Sequence, residues 1–167
     1  MKLLAAAALS TALLAIPNRA PEEVEPAFVL TGNRSAIVEE VFHRVRDEES
    51  WKALWKEHVG ESRAREGAEA DRLRRPQVDF ERFEIVALFD GKGPNCRGLE
   101  VDEIVPGETP TIRMRWLSYQ TMNGVDRNRR PYGFVVVERT EGALRVEVDR
   151  RAMGATEPKW VELVRWS

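Results

Sequence analysis

Cysteine is nearly missing from this chain: Cys96 is the only one in 167 residues. A lone thiol forms no internal disulfide, so core packing must hold the fold. Histidine is almost as scarce. His43 and His58 are the only two, no zinc-ligand spacing recurs around them, and no cofactor is called for. An excess of charge of one sign is absent as well. Lys and Arg number 26 against 28 Asp and Glu, a formal net charge of −2. A mildly acidic chain is a poor match for nucleic acid. Long apolar runs are lacking too, since the one oily stretch, Leu3 to Ile16, falls short of the ~20 residues a spanning helix needs.

That stretch follows Met1-Lys2 and leads to Asn18-Arg19-Ala20, with a small residue where a signal peptidase would cut. The three-part pattern predicts a secretory signal peptide over residues 1–20, against the alternative of an ordinary buried N-terminal helix. The expected chain is exported, periplasmic or extracellular, with no stable membrane anchor after cleavage. No Cys stands after the run, so lipoprotein anchoring is not supported. Residues 21–34 then form an N-terminal extension, and residues 35–167 a single domain of ordinary size.

The centre of that domain is Pro76 to Gly91, PQVDFERFEIVALFDG. Ile85 to Phe89 is a five-residue apolar run closed by Asp90-Gly91, the pattern of a strand buried on both faces. Ahead of it, Phe28-Val29-Leu30 is an edge-pairing triplet. Ser35 to Arg46 alternates, with Ile37, Val41, His43 and Val45 on one face and Val38, Phe42, Arg44 and Arg46 on the other. This predicts a strand exposed on one side. Asp47 is placed as a helix N-cap, with Glu48 and Glu49 in the first turn. Trp51, Leu54, Trp55 and His58 recur at helical spacing, and Gly60 ends the helix.

Glu61 to Arg75 reads as a charged, solvated connector. Gly91 to Gly98, with three glycines and Pro94, marks tight turns. It lacks the Gly-Lys-Ser/Thr ending of a phosphate loop and precedes no helix. Beyond it the pattern is strand and turn. Leu99 to Val105 and Thr111 to Tyr119 alternate, Phe134 to Val137 is a second buried run, Leu144, Val146 and Val148 alternate, and Lys159 to Trp166 closes the chain. The expected fold is α+β: a mainly antiparallel, curled or barrel-like sheet of six or seven strands, covered by one helix.

The order Trp51-Lys52-Ala53-Leu54-Trp55, then Pro76-Gln77-Val78-Asp79-Phe80, then Ile85 to Gly91, then Pro131-Tyr132-Gly133-Phe134-Val135-Val136-Val137 resembles the PrcB-like family of small exported domains. The likeness spans Ile37 to Val148. The family's Gly-rich turn reads Gly-Gly-Tyr, where this chain has Arg97-Gly98-Leu99. The resemblance implies an accessory, non-catalytic protein outside the cytoplasm, and carries over no catalytic residue.

Two functional readings follow. In the first the domain binds a protein partner, within an envelope or protease-associated assembly. The loop Arg127-Asn128-Arg129-Arg130 offers guanidinium forks to an acidic surface, and Arg97, Tyr119 and Tyr132 complete the candidate contact set. In the second it is a small hydrolase or thiol-dependent enzyme. Cys96 beside Arg97 would then be the nucleophile, because a neighbouring cation lowers a thiol's pKa. Asp79, Asp90, Asp102 and Glu103 are the carboxylates available for acid–base work. Of the five tryptophans, Trp51 and Trp55 pin the helix, and Trp116, Trp160 and Trp166 are placed to fill the other side of the core.

Overall fold

The computed structural model describes residues 25–60, 75–93, 95–120, 124, 128–152 and 154–167. The expected signal peptide and nearly all of the charged connector lie outside these residues. Eight strands and one helix follow in the order β1 (Phe28–Gly32), β2 (Glu40–Val45), α1 (Glu48–Val59), β3 (Phe83–Asp90), β4 (Cys96–Val105), β5 (Thr111–Ser118), β6 (Tyr132–Glu138), β7 (Leu144–Asp149) and β8 (Trp160–Trp166). No helix among the described residues is long and apolar enough to cross a membrane.

Helix α1 forms as its capping signals predict. The Asp47 carboxylate accepts from the backbone N–H of Ser50 at 2.7 Å, satisfying one of the first-turn donors that has no partner within the helix. At the other end Gly60 takes a positive φ of 74° and donates to the Lys56 carbonyl at 3.0 Å. The buried stripe is Trp51, Leu54, Trp55 and His58. The Trp51 indole N–H donates to the Pro76 carbonyl at 2.9 Å, which ties the helix to the segment leading into β3.

The strands form two four-stranded sheets, in the orders β1-β6-β3-β2 and β4-β5-β7-β8. This corrects the expectation of one curled or barrel-like sheet with six or seven strands. The physical reason lies in β3 and β6, whose apolar runs bury both faces. Ile85, Ala87 and Phe89, with Phe134 and Val136, pack under α1. Val86, Leu88, Val135 and Val137 pack against Leu99, Ile112, Met114, Leu144, Val146 and Val148 of the second sheet. Two dry faces need two covering layers. The helix supplies one, and a separate sheet stacked face to face supplies the other.

The added strand is β1, formed by the expected edge triplet together with Thr31 and Gly32 and paired to β6. The strand expected over Ser35 to Arg46 shortens to Glu40–Val45, and neither of its faces is left open. Phe42 packs on the inter-sheet core, while Val41 and Val45 pack under the helix. Pairing is antiparallel except between β5 and β7, which run parallel. Between those two the chain crosses to the other sheet as β6 and returns, and two reversals restore the original direction. Trp116 and Trp166 pack on the inter-sheet core. Trp160 departs from the expectation: its ring lies beneath the Arg113 guanidinium on the outer face of the second sheet, 5.3 Å away.

Candidate functional site

One end of the molecule collects the β1–β2 connection, the β3–β4 turn and the segment leading into β6. It is assembled by close backbone approaches. The side-chain hydroxyl of Thr31 accepts from the backbone N–H of Leu99 at 2.7 Å and donates to the Tyr132 carbonyl at 3.1 Å, so one residue of β1 stitches both sheets. Opposite it, Gly98 has φ 139°, and a Cβ there would lie 2.9 Å from the Gly32 nitrogen and against the Thr31 hydroxyl. Only glycine fits this approach, and β4 bulges between Cys96 and Leu99 to make it.

On this frame the structure brings together five of the six predicted contact residues. Arg97, exposed at the start of β4, holds its guanidinium 4.9 Å above the centre of the Tyr119 ring. Tyr119 is fixed by its own N–H, which donates to the Asn95 carbonyl at 2.8 Å. Arg129 donates to the side-chain oxygen of Asn33 at 3.4 Å. The backbone of Arg130 is clamped from both sides: its N–H donates to the Asn33 carbonyl at 3.0 Å, and its carbonyl accepts from Ser35 at 3.2 Å. Tyr132 occupies the same end, but its ring crosses Gly32 and packs on His58 with 4.2 Å between centroids. Tyr132 therefore links the helix-side core to the loops. Arg127 lies outside the described residues.

Asn33 is the residue that the sequence did not reveal. It accepts from Arg129, joins backbone to backbone with Arg130, and donates through its amide to the Cys96 carbonyl at 3.1 Å. A signal existed in Thr31-Gly32-Asn33, a turn-forming run directly after an apolar triplet.

Cys96 belongs to β4 and is 2% exposed. Its thiol donates to the Gly98 carbonyl at 3.2 Å. Burial pushes the thiol pKa up, and the nearby Asp90 charge adds to that. Arg97 holds its guanidinium on Tyr119, and the Cys96 pKa moves in the direction opposite to activation. His43 lies against Phe89. His58 is buried among Trp55, Phe89, Tyr132 and Phe134, with a ring nitrogen 3.0 Å from the Ser35 hydroxyl.

The four carboxylates considered for acid–base work fall in different places. Asp79 accepts from the N–H of Glu81 in the turn before β3. Asp90 ends β3 across from Glu40, and burial followed by that neighbouring charge raises its pKa. Asp102 and Glu103 lie on β4 within reach of Arg115 and Arg113. Away from this end, a cleft of about 250 Å³ opens between the sheets beside Ile104, Ile112, Val137 and Leu144. Another of about 480 Å³ lies beside Phe28, Val78, Phe83 and Val136. Compared with known proteins, the chain matches no family model, no curated protein and no solved structure.

Proposed function

We propose that this chain is an exported binding module, without catalytic activity of its own, that docks a protein partner on the end bearing Arg97, Tyr119, Arg129 and Arg130. The observation that carries the reading is the convergence of these residues, drawn from the start of β4 and the β5–β6 connection, on a frame of glycine approaches and Asn33 hydrogen bonds. A rigid scaffold presenting polar and aromatic groups on loops is the usual construction of a recognition surface. The Met1–Ala20 pattern and the PrcB-like order of motifs point to a role outside the cytoplasm, in an envelope or protease-associated assembly. The competing thiol-enzyme reading meets a sulfur that is buried and less acidic than a free thiol.

The test is capture from an envelope fraction with the tagged chain lacking residues 1–20, read by mass spectrometry. Wild type is expected to retain a partner that Arg97→Glu loses while its circular dichroism stays unchanged. Equal capture by both proteins would remove this end from the interface.

A further inference from the structure

We infer that the segment docking here is an acidic peptide and that Arg97, held over the Tyr119 ring, is its main anchor; this rests on the partner-binding reading above. A guanidinium held over a ring by cation–π attraction keeps N–H donors available to meet both oxygens of one carboxylate. The ring also removes the entropy that a free arginine would lose on docking.

The rest of the molecule shows what this chain does with an arginine it needs for itself. On the outer face of the second sheet, Arg113 pairs with Glu103 and Glu147, Arg115 with Glu100 and Asp102, and Arg145 and Arg165 with Glu162. Among the described residues Arg97 and Arg130 are in no ion pair, although the chain is rich in carboxylates. Among the described residues the negative groups close to this end include Glu39, Glu40 and Asp90. Asp90 is half-buried with its charged form disfavoured, and Arg150 lies near enough to oppose that effect. Exposed Lys92 adds a positive charge in the β3–β4 turn. The local balance therefore favours a carboxylate supplied from outside. The net negative charge of the whole chain works against an extended polyanionic surface such as an anionic membrane, but little against a short acidic segment docked at one spot.

The experiment is fluorescence anisotropy of labelled hexaglutamate, with hexaglutamine as the neutral control, titrated with the chain lacking residues 1–20. Hexaglutamate is expected to bind and hexaglutamine not, with affinity falling as salt rises. Arg97→Glu should weaken binding by about tenfold or more, and Arg97→Lys by a smaller factor because an ammonium lacks the planar fork. Arg165→Glu, an equal charge change on the outer face, should leave binding unaltered, and circular dichroism confirms that each variant is folded. Failure of hexaglutamate to bind, equal binding by Arg97→Glu, or preference for phosphatidylglycerol vesicles would overturn the acidic-peptide inference. Arg97-dependent capture from the envelope fraction would then still stand, which separates this failure from failure of the partner-binding reading.

Discussion

Arginines gather at both ends of β3, and the molecule uses them in opposite ways. At the Glu84 end, Arg44 donates to both oxygens of the Glu84 carboxylate at 2.9 and 3.0 Å, and Arg46 donates to one of them at 2.9 Å. The Glu84 side chain is 0% exposed and that of Arg44 is 6%. The remaining donors of Arg44 go to the carbonyls of Thr140 and Gly142, and Arg46 also reaches Thr140. At the Asp90 end, Arg97 meets an aromatic ring and Arg129 an amide oxygen. One set closes the join between β2, β3 and the β6–β7 connection; the other stands at the mouth of three loops. The difference is that, among the described residues, the chain supplies a carboxylate to Arg44 and Arg46 and none to Arg97.

The largest effect should come from breaking the closed set. Glu84→Ala leaves the buried Arg44 guanidinium without its counter-charge and Arg46 with only Glu141 at 4.0 Å, and losing one partner of a buried pair costs about 3–5 kcal/mol. Urea unfolding measures this, and Glu84→Gln, which keeps the shape and two acceptor sites, should lose less. Arg97→Ala with Arg130→Ala should shift stability by about 0.5 kcal/mol or less, the range of surface changes outside a network. Comparable losses at the two ends would erase the distinction between structural and presented arginines.

Little of that distinction was legible in the sequence. Arg44 and Arg46 alternate on a strand pattern as solvent-facing residues do, and only the three-dimensional pairing of β2 with β3 sets them beside Glu84. The helix was legible to its caps, because Asp47, the tryptophan stripe and Gly60 act within their own turns. The burial of Ile85 to Phe89 was legible from its unbroken apolar run. The second sheet was not, because a run buried on both faces does not say whether helix or sheet covers each side. The parallel β5–β7 pair depends on where β6 crosses, which no local pattern encodes. At the candidate site the residue types were readable, but Thr31 and Asn33 act on partners more than sixty positions away.

A middle-sized effect should come from Gly98, where the frame itself is at stake. A side chain there is strained by φ 139° and crowded by Thr31 and Gly32, and such positions cost about 1–3 kcal/mol. Gly98→Ala should therefore lower the urea midpoint less than Glu84→Ala does. It should also weaken hexaglutamate binding, since Arg97 is its immediate neighbour, whereas folded Glu84→Gln should bind normally. Weakened binding in Glu84→Gln with none in Gly98→Ala would reverse the assignment of the two ends.

The smallest effect, and the one with opposite sign, concerns Asp90. Burial and Glu40 raise its pKa in the folded chain above the ordinary carboxylate value, so folding favours its protonated form. A group shifted in this direction destabilises the fold progressively as pH rises from the ordinary carboxylate range through its raised folded value, and the full penalty persists at neutral pH. Asp90→Asn should thus raise the melting temperature slightly at pH 7, with the gain shrinking as pH falls through the raised folded value and gone below the ordinary carboxylate range. Asp47 titrates in the reverse sense. Its bonds to Ser50 hold its pKa down, so its contribution is present at neutral pH and fades as acid protonates it. Asp90 lies at the same end of the molecule as Arg97 and Arg130, which are in no ion pair among the described residues. If Asp90→Asn gains stability yet alters hexaglutamate affinity, Asp90 is serving recognition; if it gains stability with affinity unchanged, Arg97 and Arg130 set the electrostatics of this end alone.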